Sequence, residues 1–257
     1  MEMAGVQMLP PEAGVAWIRR ELTAGDFSGE VVVAGELGMM AAERHATGGV
    51  DPLALAAEPH GPMIGTVELS VHRGVVVRTV LDPTAQPFLD DHRIDGTPVL
   101  PGVMGMEAFA EAASLLVPDL RVVSVEDVRF EAPFKFFRDE PRELVVEAVV
   151  EPAGDGAVAR CRLLGERVLP GGDRPQVTVH FTATVVLGRE APEPETADVG
   201  AAEGPVIGPD RVYELYFHGP AYRVVASAWR SGDAAVAEMT GGLPPNHLPD
   251  GAPLATA

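Results

Sequence analysis

The sequence predicts an α+β fold in which an antiparallel sheet wraps one long helix. Three observations predict it. The segment from Val103 to Val117 is apolar at helical spacing (Met106, Phe109, Ala110, Ala113, Leu116, Val117) and otherwise mostly alanine, so its helix can be enclosed on nearly every side. Runs that alternate or are wholly apolar stand on both sides of it and have the length of strands. Gly 28 and Pro 24 in 257 residues supply the turns that short strands need and argue against a helical bundle.

Taken in order, Pro11-Glu12 opens a helix whose Val15, Ile18 and Leu22 share a face; Gly25 follows its end, and Glu30 to Gly35 reads as a short buried strand. One helix and one strand cannot close a core, so residues 1–38 form a small unit of their own. Residues 39–62, with Gly48-Gly49, Asp51-Pro52, Pro59 and Gly61-Pro62, read as a linker. A first domain is expected over 63–187. In it, Thr66 to Val71 and Val75 to Val80 flank His72-Arg73-Gly74 as a hairpin. The stretch Asp91-His92-Arg93-Ile94-Asp95-Gly96-Thr97-Pro98-Val99-Leu100-Pro101-Gly102 is a tight turn that carries one histidine, and Pro101 suits a helix start. Pro118-Asp119 ends that helix. Arg121 to Val125 and Val128 to Phe130 are strand-like up to a break at Ala132-Pro133, and Leu144 to Val150, Val158 to Leu163 and Val177 to Val186 give three more strands. Alternation at Arg160 and Arg162, and at Thr178, His180 and Thr182, predicts one polar face. Residues 188–204 read as an acidic linker, and 205–257 as the start of a second module with strands at Val224 to Trp229 and Ala234 to Met239.

The net charge of -19 argues against nucleic acid or an anionic membrane as partner, since a phosphate backbone needs a basic face. Cys161 is the single cysteine, so neither an internal disulfide nor a thiolate metal cluster is expected. No apolar run approaches the roughly 20 residues that span a bilayer, and Met1-Glu2-Met3-Ala4 lacks the pattern of a signal peptide; a cytoplasmic location is expected.

His92, Gly96 and Pro101 are spaced as HxxxGxxxxP. With the preceding Pro87-Phe88-Leu89 and the following Leu100-Pro101-Gly102-Val103, this resembles the dehydratase domains of polyketide synthases, which have a double hotdog fold. Residues 1–38 resemble the final helix and strand of a short-chain-type ketoreductase domain, which would give the ketoreductase–dehydratase order of iterative type I synthases. Tyr213 to Tyr222 resembles the GPxF region that opens the second hotdog, with Tyr222 at the aromatic position. The resemblance implies a helix carrying an acid further on. The chain offers Asn246-His247-Leu248-Pro249-Asp250-Gly251 there, so either Asp250 is a displaced acid or the second hotdog is cut short and the acid lies beyond the chain end.

The activity implied is removal of water from a 3-hydroxyacyl carrier-protein thioester to give the trans-2-enoyl thioester. A neutral imidazole suits abstraction of the α-proton, which makes His92 the base. Gly102 and Val103 at the helix start present backbone N–H groups to the thioester carbonyl, donors worth roughly 2.7–4 kcal/mol each. Gly96, Pro101, Tyr222 and His218 are further candidates at the substrate slot. Other readings are a hotdog thioesterase or enoyl isomerase, and a non-catalytic hotdog that binds carrier protein. Asp91 and Asp95 around His92 are a poor metal set, so no metal is expected. His45, His60, His72 and His180 read as surface or loop residues. No bound cofactor is expected, the substrate arriving on the phosphopantetheine arm of an acyl carrier protein. Arg129, Lys135, Arg138 and Arg142 form the densest basic run for docking it. Other synthase domains are expected partners, with room for a homodimer.

Overall fold

A computed structural model describes residues 6–7, 9–24, 33, 36–37, 55, 61–70, 73–168, 175–190 and 199–240. At the N-terminal end, β1 (Val6–Gln7) pairs with β2 (Glu36–Leu37), and α1 (Pro11–Ala24) lies between them in the chain. Proline starts α1 as expected, but Val15 and Ile18, on its apolar face, are exposed. The strand expected within 30–35 falls almost wholly outside the described residues.

The main sheet is antiparallel and six-stranded, in the order β3 (Thr66–Ser70), β4 (Gly74–Leu81), β8 (Arg142–Ala153), β9 (Gly156–Val168), β10 (Pro175–Gly188), β7 (Arg121–Phe130). Between β4 and β7 come α2 (Pro87–Asp90), the two-residue strands β5 (Arg93–Ile94) and β6 (Thr97–Pro98), and the long helix α3 (Gly102–Ser114). One face of the sheet packs on α3. Alternate residues Val75, Val77, Leu144, Val146, Leu163 and Val185 are fully buried there, with Phe109 of the helix among them. The opposite face carries Arg78, which pairs with Glu143 at 3.0 Å and Glu166 at 3.3 Å. A sheet wrapped on one helix is the hotdog arrangement, and the α+β expectation holds.

The strand runs expected at 121–125 and 128–130 are one strand. Asp127, at φ 50°, is an extra residue opposite Thr182–Thr184, so the ladder continues past it as a bulge. A second bulge corrects the reading of His180 as a surface residue. Val179 pairs with Leu164 and Phe181 with Leu163, so His180 is unpaired, parity shifts, and the ring turns into the interior, 4% exposed. His45, His60 and His72 lie outside the described residues.

Helix α3 sits close on the sheet because Gly105 has no side chain: a Cβ there would lie 2.3 Å from the Phe181 ring. The helix also buries two acids that sequence patterning passes over. Glu107 and Glu111 are 2% and 5% exposed, and Glu111 Oε2 accepts the Met63 N–H at 3.0 Å. Met63 is itself buried in the core, as is Leu55 within the stretch read as linker.

The last described part holds α4 (Pro209–Tyr213), β11 (Val225–Ser231) and β12 (Ala234–Met239), the two strands forming a hairpin. Among the described residues no helix is long and apolar enough to cross a membrane.

Candidate active site

The turn that carries His92 is built from local bonds. Asp91 N–H donates to the Pro87 carbonyl at 2.9 Å and His92 N–H to the Leu89 carbonyl at 3.2 Å, which closes α2. Strands β5 and β6 then reverse through Asp95 and Gly96, both at positive φ (51° and 76°), the geometry an Asp-Gly pair favours in a two-residue hairpin turn. Arg93 clamps this hairpin, reaching Asp90, the Gly96 carbonyl and Asp139 at 2.6–3.0 Å. Gly96 therefore shapes the turn at an exposed tip.

His92 itself is half-buried, and its Nδ1 lies 2.8 Å from the Val99 carbonyl. A carbonyl can only accept, so the neutral ring carries its proton on Nδ1 and keeps the lone pair on Nε2. Two residues beyond Val99, Pro101 caps α3. The internal bonding of the helix begins with Met104 and Gly105 N–H, both donating to the Pro101 carbonyl at 3.1 Å. Gly102 and Val103 precede it, so their N–H groups face out of the helix end. Phe130 packs on Gly102, where a Cβ would come within 2.8 Å of its ring, and Val103 is 55% exposed.

The other wall comes from the distant segment 216–222. Gly219 N–H donates to the Asp91 carbonyl at 2.8 Å, Ala221 N–H to Asp91 Oδ2 at 2.7 Å, and the Tyr222 hydroxyl to the Phe88 carbonyl at 2.8 Å. Gly219 is needed for this approach, because a Cβ there would lie 2.3 Å from Asp91 Oδ1. These bonds set three rings around His92: Phe217 at 5.2 Å, His218 at 5.6 Å and Tyr222 at 5.7 Å between centroids. Phe217 stacks on His218 at 4.3 Å. Burial, and secondarily the nearby His92, hold His218 below the ordinary histidine range. Burial pushes the Tyr222 phenol up, with Asp91 adding to the effect.

The structure thus brings together His92, His218 and Tyr222 of the expected site, with Pro101 and Gly102 following two and three residues after the Val99 that bonds His92. Asp250 and His247 lie outside the described residues. Of the expected basic run, Arg129 and Arg138 are exposed and Lys135 is half-buried, whereas Arg142 turns inward, its Cζ 3.9 Å from the centre of the buried Phe134 ring. The anchoring role of Asp91 was missed. Its partner is 130 residues away, and no spacing within one chain signals such a pairing.

Residues 61–161 match the family model for the polyketide synthase dehydratase domain. Over that stretch the chain is similar to polyketide synthase dehydratase domains. Its relatives include polyketide synthase GfsB of Streptomyces halstedii, 29% identical over 211 residues, and the mycoketide-CoA synthase of Mycobacterium tuberculosis, 28% identical over 196 residues. Those matches take in 76% and 73% of this chain but 4% of either relative, so the chain spans a small part of their length. A dehydratase structure from work on the borrelidin and fluvirucin polyketide synthases superposes with a TM-score of 0.54 at 26% identity, covering 73% of this chain and 64% of that one. The dehydratase domain of the CurF module of the curacin synthase gives 0.57 at 17% identity, covering 72% and 66%, and supports the fold of the dehydratase domain.

Proposed function

We propose that this domain removes water from a 3-hydroxyacyl thioester held on an acyl carrier protein, giving the trans-2-enoyl thioester. The observation that supports it is the His92 Nδ1 contact with the Val99 carbonyl, two residues ahead of the Pro101 that caps α3, which leaves Nε2 as a proton acceptor. Nε2 takes the α-proton. The thioester oxygen gains enolate charge and is met by the Gly102 and Val103 N–H groups. The electron pair of the broken C–H bond becomes the new C=C, the C–O bond breaks, and the hydroxyl leaves as water with a proton from an acid. No redox partner is required for this balance. That acid is either Asp250 or a residue beyond the end of this sequence. His218 and Tyr222, with Phe217, wall the space in front of His92.

The substrate arrives on a phosphopantetheine arm. Arg129, Lys135 and Arg138 offer the acidic carrier a basic surface, without the inward Arg142. The exposed Val15 and Ile18 of α1 are the face that the rest of a ketoreductase-type domain would cover. The test is intact mass spectrometry of 3-hydroxybutyryl carrier protein incubated with the chain and with His92→Ala. Loss of one water with the unchanged chain alone supports the reading, and equal loss with both overturns the assignment of the base.

A further inference from the structure

The orientation of His92 depends on a carbonyl that is itself held from behind. Val99 faces Lys135 in an isolated antiparallel bridge. On either side, Leu100 N–H donates to the Phe134 carbonyl at 2.9 Å and Phe136 N–H to the Pro98 carbonyl at 3.0 Å. Residues 134–136 belong to no strand of the main sheet, and two interior side chains bind their loop. Arg142, at the start of β8, donates from Nη1 to the Lys135 carbonyl at 3.0 Å and lies on the Phe134 ring. Its Nη2 is 3.4 Å from His180 Nε2, and His180 Nδ1 is 3.1 Å from the Ala132 carbonyl.

The donor and acceptor roles follow from chemistry alone. A guanidinium only donates and a carbonyl only accepts, so His180 accepts at Nε2 and donates from Nδ1, which makes it neutral in a single tautomer. Gly165, on the strand between them, makes the meeting possible. A Cβ there would lie 2.5 Å from Arg142 Nη2 and 2.6 Å from His180 Nε2.

We propose that Arg142 and His180 are positioning residues for the dehydration. They bind the carbonyls of Lys135 and Ala132, and thereby hold the 98–100 segment whose Val99 carbonyl keeps the proton of His92 on Nδ1 and its lone pair on Nε2. This rests on the reading of His92 as the base. Enclosing a guanidinium and an imidazole on the inner face of a sheet is costly, and apolar side chains of similar volume would serve stability as well. What such side chains could not do is fix a loop carbonyl in place. Desolvation keeps a second proton off His180, and the charge of Arg142 acts in the same sense. The other groups facing His180 are the Phe134 ring, the Ala132 and Pro133 carbonyls and Gly165, with Arg167 adding positive charge near Arg142.

Histidine-ring NMR on the full chain labelled with nitrogen-15 histidine reads the tautomer directly and needs no turnover. In the unchanged chain, neutral His92 shows a protonated Nδ1 and a bare Nε2, and Arg142→Met moves it to a mixture of tautomers. Arg142→Lys keeps the charge and the stem without the fork and gives the same shift, so the test survives a Met variant that fails to fold. In the dehydration assay the Lys variant lowers kcat by about tenfold with KM within about twofold, the mark of lost orientation. His92 ring signals in the folded Lys variant that match the unchanged chain would overturn the proposal. Expected ring signals together with water loss that survives His92→Ala would refute the reading of His92 as the base and leave the network standing.

Discussion

Replacing Glu111 by Gln is expected to flatten the dependence of stability on pH. Glu111 is 5% exposed, and burial, reinforced by Glu107, pushes its carboxyl from 4.5 up to about 9. Below 4.5 the folded and unfolded chains both hold this proton, and above 9 neither does. Between those limits only the folded chain holds it, so stability is greatest on the acid side and falls as pH rises. The slope is about 1.4 kcal/mol per pH unit for one proton, or about 2.7 kcal/mol between pH 6 and pH 8. Gln keeps the shape and the acceptor for the Met63 N–H but has no proton to lose, so its curve lacks this slope. Urea unfolding at both values measures it: the midpoint of the unchanged chain drops by about 1 M or more relative to the Gln variant, given a typical urea slope. Equal pH dependence in the two proteins would refute the argument, because it would mean that Glu111 is already ionised in the folded state.

Gly219→Ala should detach the 216–222 wall, since its Cβ would meet Asp91 Oδ1; the expected cost is about 1–3 kcal/mol, and loss of the Phe217 ring-current shift on His92 in NMR spectra would report it. Cys161, whose thiol burial pushes up to about 12, should resist a thiol reagent at neutral pH and react fully once the chain is unfolded, so rapid native-state labelling would contradict its placement in the core.

Most of the sheet was legible because its strands alternate in period two. Thr66–Ser70 and Gly74–Leu81 agree with the expected hairpin, and the three long strands with their Gly-bearing turns. The turn at His92 was legible through Asp95-Gly96 and Pro101, residues whose conformational limits act locally. What failed was non-local. His180 was misread because one extra residue in β10 reverses the parity of its side chain, and hydropathy cannot see a bulge. Glu107 and Glu111 are charged residues by type, and only the enclosing sheet and Met63 show that they lie inside. Arg142 looked like part of a surface patch because its partners, Lys135 and His180, come from a loop and a strand elsewhere in the chain. The docking of Ala221 on Asp91 left no local trace at all.

That docking has a consequence for synthesis on the ribosome. Asp91 and Ala221 are separated by 130 positions, and Phe88 and Tyr222 by 134, whereas His92 and Val99 are separated by 7. Closing so long a loop requires that both ends be ordered enough to meet, and it comes after contacts of short separation have formed. During translation the His92 turn therefore forms first, the 134–136 loop with Arg142 and His180 that holds the Val99 carbonyl follows, and the aromatic wall comes last. A nascent chain that has released residues up to His180 but not the segment from 216 would display the histidine on an open, wet surface, and the closing of the site marks the arrival of the second half.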